Sequence, residues 1–598
     1  MSILDKIKTA SDVKKLTVDE LSVLSDEIRR KIIAVVEKNG GHLSSNLGAV
    51  EIIVALYYVF DFPKDKLVFD VGHQSYAHKI LSGRKDEFDT IRTLGGLSGF
   101  PNIFESAYDA FSAGHAGNSL SACLGYCAAR DINGEDYNVV NLVGDASFFN
   151  GEYLEALSST SDKPKNLIVI LNDNGMSISK NENALYKFFS RITTKKSYNK
   201  LMSGADKSVG KTFIGRALKR FKNFIKFNVN KKTAVIDAIG LKYLGVFDGN
   251  NIKELVRIFT NVKNNSDKAV LLHLKTVKGK GMAEAEKSAD YYHGVGKNLV
   301  ASGNTFSEAA GKILEELAEK DEKVVAVCAG MKDGVGLSAF AEKFPTKFFD
   351  VGIAEEHAVT LAAGMAIGGL KPFVCIYSTF LQRSYDQIMQ DVCMQNLPVI
   401  FLLDRAGAVG ADGATHQGLF DISYLKSLPN MSVFAPKDAE ELGVTIDYCL
   451  SLNSPCAVRY PNGLHSSFGE KISYEKSVWT GGTESKNVIL CVGPNANRLG
   501  ERVKELSEKS VSVVNARRVF PLDGDILDKI SEKNVITIEE NVVSGGFGES
   551  VAAYYVQKGF AAKLHVFAFP TKFVPAATRE KQFEIAGITV EGVLNSLV

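Results

Sequence analysis

The chain has 598 residues, of which 45% are hydrophobic and 23% are charged, and its formal net charge at pH 7 is +1. This length requires more than one domain, and the composition excludes a disordered chain and indicates a soluble, folded one. No uncharged apolar run reaches the roughly 18 residues that a membrane span needs, and the start, MSILDKIKTASDVKKL, lacks the apolar core of a signal peptide. We therefore predict a cytoplasmic protein with no membrane partner.

The eight cysteines lie mostly inside apolar runs, and no two of them form a CxxC pair. A zinc or redox site of that type is therefore not indicated. We expect the cysteines to be reduced residues of the core.

Short apolar runs recur along the chain, each ending in a polar loop and followed by a segment with helical spacing. This order is typical of β-α-β units and parallel sheets. The clearest runs are residues 139–143, 167–171, 374–377, 399–403 and 488–492. We predict three α/β domains, formed by residues 1–300, 301–475 and 476–598.

A basic segment interrupts the first of these domains near residues 185–232. Between Lys187 and Lys232 there are 14 lysines and arginines and a single acidic residue, Asp206. The stretch TFIGRALKRFKNFIKF places apolar residues on one helical face and basic residues on the other. Such a helix could bind a membrane surface or a nucleic acid. The more common case is a basic helix that packs on its own protein within a mobile insertion, so we predict no nucleic-acid partner.

Polar residues follow two neighbouring strands of the first predicted sheet. Asp145 lies in the loop GDASFFNGE (144–152), and Asn174 lies in NDNGMSIS (172–179), so both fall at carboxyl ends of strands, where open α/β sheets bind ligands. A carboxylate, an amide oxygen and a backbone carbonyl, here that of Met176, are the hard ligands that Mg²⁺ prefers together with a diphosphate. A helix cap and a turn are the simpler explanation of the same residues.

The order of these motifs resembles the thiamine diphosphate enzymes, and further motifs narrow the resemblance to the 1-deoxy-D-xylulose-5-phosphate synthase family. The stretches that carry it are GGHLSSNLG (40–48), DVGHQSYAHKIL (70–81), SAGH (112–115), IAEEHAVTLAAGMAIGG (353–369), IYSTFLQRSYDQ (376–387), DRAGAVGADGATHQG (404–418) and VRYP (458–461). This resemblance implies a three-domain transketolase-like α/β architecture, with two parallel-sheet domains that bind thiamine diphosphate and Mg²⁺ and a C-terminal α/β domain. It also implies a homodimer that condenses pyruvate with D-glyceraldehyde 3-phosphate to give CO₂ and 1-deoxy-D-xylulose 5-phosphate, a precursor for isoprenoid, thiamine and pyridoxal synthesis.

The same resemblance assigns roles to residues. Glu355, the first Glu of the Ala-Glu-X-His motif, engages the aminopyrimidine of the cofactor, whereas Glu356 occupies a position where the family has Gln or Glu. The implied catalytic residues are Glu355, His42, His73, His293 and His416. The implied cofactor-binding residues are His73, Gly114, His115, Gly144, Asp145, Ala146, Ser147, Asn174, Met176, Lys287, Glu355, Phe380 and Arg383, of which Asp145, Asn174 and Met176 hold the metal. The implied substrate-binding residues are His42, Tyr377, Arg405, Asp412, His416 and Arg459, with the two arginines at the phosphate.

Two alternative functions stay open. A transketolase would use the same cofactor for two-carbon transfer, although its relatives usually have Thr-His where this chain has Asp404-Arg405. A catalytically silent relative, acting as a binding or regulatory protein, is suggested by departures from the family pattern. These departures are Ala146 for Gly, Phe148-Phe149 for small residues, Gly117-Asn118 for Ser-Thr and GVFDGNN (245–251) for Gly-Pro-Val-Asp-Gly-His.

The loop GDASFFNGE raises a local question about backbone strain. An alanine at position 146 is tolerable if φ there is negative and costs about 1 kcal/mol if φ is positive. We expect Ser147 to cap the following helix. The two phenylalanines then either pack against neighbours or narrow the cofactor channel.

Overall fold

The computed structural model describes residues 2–160, 165–175, 241–265, 268–289, 291–295, 305–465, 467, 474 and 478–598. Met176 lies outside these residues, as does the basic segment near 185–232, for which we predicted a basic helix that packs on its own protein within a mobile insertion. The chain divides into two compact units, Met1–Ile91 with Gly96–Leu299, and Arg92–Gly95 with Val300–Val598. Each unit is described separately below.

The first unit contains a parallel sheet and its flanking helices. In chain order its elements are α1 (Ile3–Lys6), α2 (Val18–Asn39), α3 (Ser44–Val59), β1 (Lys66–Phe69), α4 (Tyr76–Lys79), α5 (Ser119–Asn133), β2 (Val139–Gly144), α6 (Asp145–Phe148), α7 (Gly151–Ser159), β3 (Leu167–Asp173), β4 (Lys242–Asp248), α8 (Ile252–Asn265), β5 (Val270–Lys275) and α9 (Ala283–Lys287). The described strands pair in the order β1-β2-β3-β5-β4, and every pair is parallel.

Both faces of this sheet are covered by helices, because successive side chains of a strand point to opposite faces and both sets are apolar here. Leu142, Ile168 and Ile170 face a core shared with α2, α3 and α8. Val143 and Val169 face a second core with α5 and α7. The carboxyl ends of β2 and β3 are thereby fixed side by side, and they carry the candidate site residues of the first unit.

The second unit contains two further sheets. The elements of its first part are α10 (Phe306–Lys320), β6 (Val324–Cys328), α11 (Ser338–Lys343), β7 (Phe348–Asp350), α12 (Glu355–Ile367), β8 (Lys371–Tyr377), α13 (Ser378–Leu381), α14 (Tyr385–Gln387), β9 (Ile400–Asp404), α15 (Asp421–Leu425), β10 (Ser432–Phe434), α16 (Ala439–Leu452) and β11 (Cys456–Arg459). Its second part contains β12 (Thr480–Gly481), β13 (Asn487–Cys491), α17 (Gly493–Leu506), β14 (Val511–Asn515), β15 (Arg518–Phe520), α18 (Gly524–Ile530), β16 (Asn534–Val542), α19 (Phe547–Lys558), β17 (Lys563–Phe569), α20 (Arg579–Ile585) and α21 (Val590–Asn595).

The two sheets of this unit do not divide the chain at a single point. One has the order β15-β10-β11-β9-β8-β6-β7 and the other has the order β12-β14-β13-β16-β17. Strand β15, which follows residue 475 in the chain, pairs antiparallel with β10 and so completes the sheet of the preceding part. The division into three domains at residues 300 and 475 stays a prediction.

The local expectations from sequence are confirmed in two respects. The five predicted runs fall on β2, β3, β8, β9 and β13. Three of the runs lie within their strands, and the other two are shifted by one residue from theirs. All eight cysteines are free and buried. No helix in the described part of the chain is long and apolar enough to cross a membrane.

Candidate active site

Asp145 stands at the start of α6, directly after β2, and its side chain is 3% exposed. One carboxylate oxygen, Oδ1, accepts a hydrogen bond of 3.1 Å from the N–H of Ala146. The other, Oδ2, is buried and has no hydrogen-bond partner among the described residues. Burial, together with the negative charge of Asp173, raises the pKa of Asp145 to about 8. A buried carboxylate with an open oxygen is an arrangement that a cation relieves.

The unusual residues of the loop GDASFFNGE are accommodated without strain. Ala146 lies inside α6 and is not among the residues with positive φ, so the cost considered for an alanine here does not arise. Phe148 is buried, with its ring centroid 5.3 Å from that of Phe149 and 5.2 Å from that of Tyr153. The two phenylalanines therefore pack into the core behind the loop, which favours the first of the two expectations for them.

The expectation that Ser147 caps the next helix is wrong. Asn150 precedes α7, and its side-chain oxygen accepts a hydrogen bond of 3.1 Å from the N–H of Glu152. Ser147 lies inside α6 instead and is buried there. Asn150 is the cap because it occupies the position directly before the helix, where a short polar side chain reaches the free N–H groups of the first turn.

Asn174 follows β3 at the same edge of the sheet as Asp145, since Gly144 is in register with Asn172. The side chain of Asn172 is engaged by the protein: it donates to Gln74 Oε1 at 2.7 Å and accepts from Thr276 Oγ1 at 2.6 Å. Asn172 is thus held by the protein, and Asn174, half-buried just after the strand, stays the predicted metal ligand.

Three of the predicted histidines come together in the first unit. The ring centroids of His42 and His73 are 6.0 Å apart, and His293 lies 5.6 Å from each of them. Burial and the positive charge of Lys278 lower the pKa of His73 to about 4. The same two causes, with the neighbouring histidines, hold the pKa of His293 well below its ordinary value. His73 and His293 are thus neutral at pH 7 and can accept a proton.

Sequence reasoning missed Lys278, which is 6% exposed and acts electrostatically on His73, His293 and Asp145. The available signal was its place in the run TVKGKGM (276–282), directly after β5. The predicted cofactor residue Lys287 is exposed at the end of α9, so the structure does not bring it into the described cluster. Burial favours Lys278 over Lys287 as the lysine of this site.

The predicted residues Gly114 and His115 lie in the loop that precedes α5, where Gly114 is buried and His115 half-buried. The loop is held by Asp70, a second residue that the sequence did not single out. Its carboxylate accepts from the N–H of Gly117 at 3.1 Å and from the hydroxyl of Ser119 at 2.6 Å. Asp70 thereby fixes the backbone just after Gly114 and His115.

In the second unit, Glu355 is the first residue of α12 and is 4% exposed. Burial raises its pKa, an effect that Arg383 partly offsets from 3.5 Å. Glu356 beside it is only half-buried. The geometry therefore favours Glu355 over Glu356 as the carboxyl that shares a proton with a ligand.

Four predicted residues form one aromatic and cationic cluster at the ends of β8 and β9. The rings of Tyr377 and Phe380 are stacked, with centroids 5.6 Å apart. The His416 ring meets Phe380 edge-on at 5.7 Å. The guanidinium of Arg405 lies 3.8 Å from the centroid of the Tyr377 ring, within cation–π distance. The loop residue Arg405 is therefore held against Tyr377 at the end of β8, and His416 against Phe380 just after it.

Asp412 forms an ion pair of 2.5 Å with Arg92, which the structure assigns to the same unit. Burial would raise the pKa of Asp412, but the charges of Arg92 and His416 hold it below its ordinary value. Asp412 is therefore ionised near pH 7. Arg92 was not foreseen, because its partner is far away in the sequence.

Arg459 ends β11, beside the strand that leads to Arg405, and is 4% exposed. Its Nε donates to both carboxylate oxygens of Asp421, at 3.0 and 3.1 Å, and Nη2 donates to the carbonyl of Glu540 at 2.9 Å. Nη1 has no hydrogen bond to any described residue. The hydrogen bonds of Nε and Nη2 thus fix the position of the guanidinium, and Nη1 is left as the donor for a substrate.

Three family models match successive stretches of the chain. The model described as 1-deoxy-D-xylulose-5-phosphate synthase matches residues 4–276, the transketolase pyrimidine-binding domain matches residues 303–466, and the transketolase C-terminal domain matches residues 482–593. Together with the two largely parallel sheets and the third α/β part, these matches define a transketolase-like enzyme.

Curated relatives narrow this class. The 1-deoxy-D-xylulose-5-phosphate synthase of Clostridium tetani is 42% identical and is covered over 99% of its length by 100% of this chain. That of Carboxydothermus hydrogenoformans is 43% identical, with 98% of this chain and 97% of the relative covered. The chain belongs to the 1-deoxy-D-xylulose-5-phosphate synthase family. Among solved structures, a transketolase from Campylobacter jejuni is 18% identical with a TM-score of 0.43, covering 97% of this chain and 99% of that one.

Proposed function

We propose that the chain catalyses the condensation of pyruvate with D-glyceraldehyde 3-phosphate, giving 1-deoxy-D-xylulose 5-phosphate and CO₂, with thiamine diphosphate and Mg²⁺ as cofactors. The observation that carries this proposal is the identity of 42% with a named synthase over the full length of the chain. We further propose that the protein acts as a homodimer on these small molecules, with neither a nucleic acid nor a membrane as partner.

The residues of the first unit fit the cofactor. Asp145 offers a buried oxygen that has no hydrogen-bond partner in the described part of the chain, and a divalent cation would complete its coordination. Asn174 and the carbonyl of Met176, which lies outside the described residues, would be the other protein ligands. Ser147 keeps the backbone N–H that a diphosphate needs, whereas the N–H of Ala146 would have to turn from Asp145 Oδ1 to the diphosphate, and neither residue has positive φ. Thiamine diphosphate held by these residues would supply a nucleophilic carbon and an electron sink for the decarboxylation of pyruvate.

Proton transfer falls to Glu355 and the histidines. Because burial raises its pKa, Glu355 can share a proton with a ring nitrogen of the aminopyrimidine. His73 and His293 are neutral and can take a proton from a hydroxyl of a bound substrate. We assign His42 and His416 to the same task because His42 belongs to the cluster of the first unit and His416 lies against Phe380.

Recognition of the acceptor falls to the second unit. We propose that the guanidinium of Arg405 and Nη1 of Arg459 bind the phosphate, because arginine donors match its oxygens. The Tyr377 hydroxyl would add a donor, and the ionised Asp412 would accept from a hydroxyl of the sugar. Phe380 and Arg383 would flank the aminopyrimidine near Glu355.

An assay of CO₂ release that requires both substrates tests the proposal directly. The parent protein is expected to release CO₂ only with pyruvate, D-glyceraldehyde 3-phosphate, Mg²⁺ and thiamine diphosphate together. Glu355→Gln should lower this rate at least roughly 100-fold, since it removes the proton that the carboxyl shares. Glu356→Gln is the matched control and should keep most of the activity.

Two results would replace the proposal. Consumption of xylulose 5-phosphate without any use of pyruvate would identify a transketolase. Failure to bind thiamine diphosphate in calorimetry with Mg²⁺ present would identify a catalytically silent relative.

A further inference from the structure

The loop between Arg405 and Asp412 is held along its backbone by side chains from the C-terminal part of the second unit. Arg579 Nε donates to the carbonyl of Ala408 at 2.9 Å, and Glu540 Oε2 accepts from the N–H of the same residue at 3.2 Å. Gln582 exchanges two hydrogen bonds of 3.0 Å with Gly410, accepting from its N–H and donating to its carbonyl. We call Glu540, Arg579 and Gln582 the clamp residues.

Two clamp residues are themselves fixed by burial and by further hydrogen bonds. Gln582 is fully buried and also donates to the carbonyl of Pro575 at 2.9 Å. Glu540 is 4% exposed, and its second oxygen accepts from Asn495 Nδ2 at 2.7 Å. Buried polar groups with all partners satisfied define one geometry, so the position of the loop is set by the C-terminal part.

The clamp residues also contact Arg459, the second arginine predicted to bind the phosphate, and the loop that follows it. The backbone carbonyl of Glu540 accepts from Arg459 Nη2 at 2.9 Å. Arg579 Nη2 donates at 2.6 Å to the carbonyl of Asn462, three residues after Arg459. The guanidinium of Arg579 thus ties the loop after β9 to the loop after β11, and each loop follows one of the two arginines.

A glycine permits the close approach of loop and clamp. Gly407 has a φ of +83°, and a Cβ there would lie 2.4 Å from Glu540 Oε2. A side chain would therefore push the loop away from the C-terminal part. The backbone of this loop is shaped to be held at short range.

We propose that Glu540, Arg579 and Gln582 are positioning residues for the phosphate of the acceptor. The C-terminal part contributes none of the candidate ligands, and it acts by fixing the backbone that carries Arg405 and Asp412 and the carbonyl that orients Arg459. This inference rests on the proposed function, in which the two arginines bind that phosphate. Domain packing alone would need no hydrogen bonds to both the N–H and the carbonyl of the same loop residue.

Steady-state kinetics with two acceptors tests the proposal in the full-length holoenzyme. Gln582→Ala and Arg579→Ala should each raise the KM for D-glyceraldehyde 3-phosphate roughly tenfold, because a misplaced guanidinium binds a phosphate less well. The KM for pyruvate, the kcat, and the KM for unphosphorylated D-glyceraldehyde should change less than about twofold. Gln582→Glu keeps the acceptor for the Gly410 N–H and should give an intermediate KM.

Asn487→Ala is the matched control, because this buried amide also bonds backbone carbonyls of the C-terminal part, those of Ser510 and Val598. It should lower thermal stability without changing the KM for either acceptor. Arg579 is only half-buried, so its variant keeps the test valid if Gln582→Ala fails to fold.

Arg405→Lys separates failure of this inference from failure of the proposed function. If Arg405→Lys raises the KM for the phosphorylated acceptor while both clamp variants behave like Asn487→Ala, the clamp has no positioning role and the proposed function stands. If Arg405→Lys leaves that KM unchanged, the phosphate assignment is wrong and the inference falls with it.

Discussion

The candidate site residues of the first unit and those of the second unit differ in how their buried polar groups are satisfied. In the first unit, Asp145 Oδ2 and His73 Nδ1 are buried without a hydrogen-bond partner in the described part of the chain. In the second unit, Arg459 donates to Asp421 and to two backbone carbonyls, and the loop after Arg405 is bonded on both sides of its backbone. Open groups mark where a ligand completes the structure, whereas satisfied groups mark where the protein sets a geometry in advance.

The strongest way to break this contrast is Asp145→Asn, which keeps the shape of the side chain and removes its charge. We expect affinity for Mg²⁺ with thiamine diphosphate to fall on the order of 100-fold in calorimetry, because a ligand bond to the cation is weakened. Without cofactor and above pH 8, where Asp145 ionises, the variant should melt at a higher temperature than the parent, since it buries no carboxylate. Asp131→Asn, at a largely exposed side chain, is the control. Unchanged affinity would mean that the open oxygen is not a metal ligand.

Acid stability sharpens the contrast at His73. Its pKa is about 4 in the folded protein against 6.5 for the ordinary side chain, so the unfolded chain binds more protons between these values. The contribution to stability is full above pH 6.5 and is lost as the pH falls towards 4. We expect the free energy of unfolding to fall by roughly 2 kcal/mol over this range, since partial exposure of the ring weakens the effect of burial on its pKa.

Denaturant unfolding between pH 7 and pH 4 measures this change. His73→Gln should flatten the pH dependence relative to the parent. The exposed His357 serves as control, and His357→Gln should leave the curve as it is. If the free energy of unfolding of the parent and of His73→Gln fell equally with pH, His73 would not cause the loss of stability in acid.

The smallest expected effect concerns Ala146. Because this residue lies inside α6 and lacks positive φ, Ala146→Gly should lower stability by about 0.5–1 kcal/mol and alter cofactor affinity only slightly. Thermal unfolding and calorimetry check both values, with Ala129→Gly on the exposed side of α5 as the control for glycine in a helix. A tenfold gain in cofactor affinity would contradict the account of an unstrained alanine.

Local sequence pattern predicted what depends on neighbours in the chain. Short continuous apolar runs predicted the strands, and the polar residue after the run of β2 predicted the place of Asp145. Lys278 and Arg92 were missed because burial and ion pairing bring them to partners that are far away in sequence. Ser147 was misjudged because the asparagine three residues later is the better cap.

The clamp lay beyond prediction for the same reason as Lys278 and Arg92. Gln582 is separated by 172 residues from Gly410, and nothing around it resembles a site motif. Only the packing of two distant parts of the chain brings its amide to that backbone.

Strand β15 limits how the chain can be divided. It covers the outer side of β10, and Trp479 Nε1 donates to the carbonyl of Arg518 within it at 2.7 Å. A fragment ending near residue 475 would leave the backbone of β10 as an open sheet edge, which is a template for aggregation. A usable truncation or split version of this protein therefore has to keep residues 518–520 or supply a substitute strand, however independent the C-terminal part looks along the sequence.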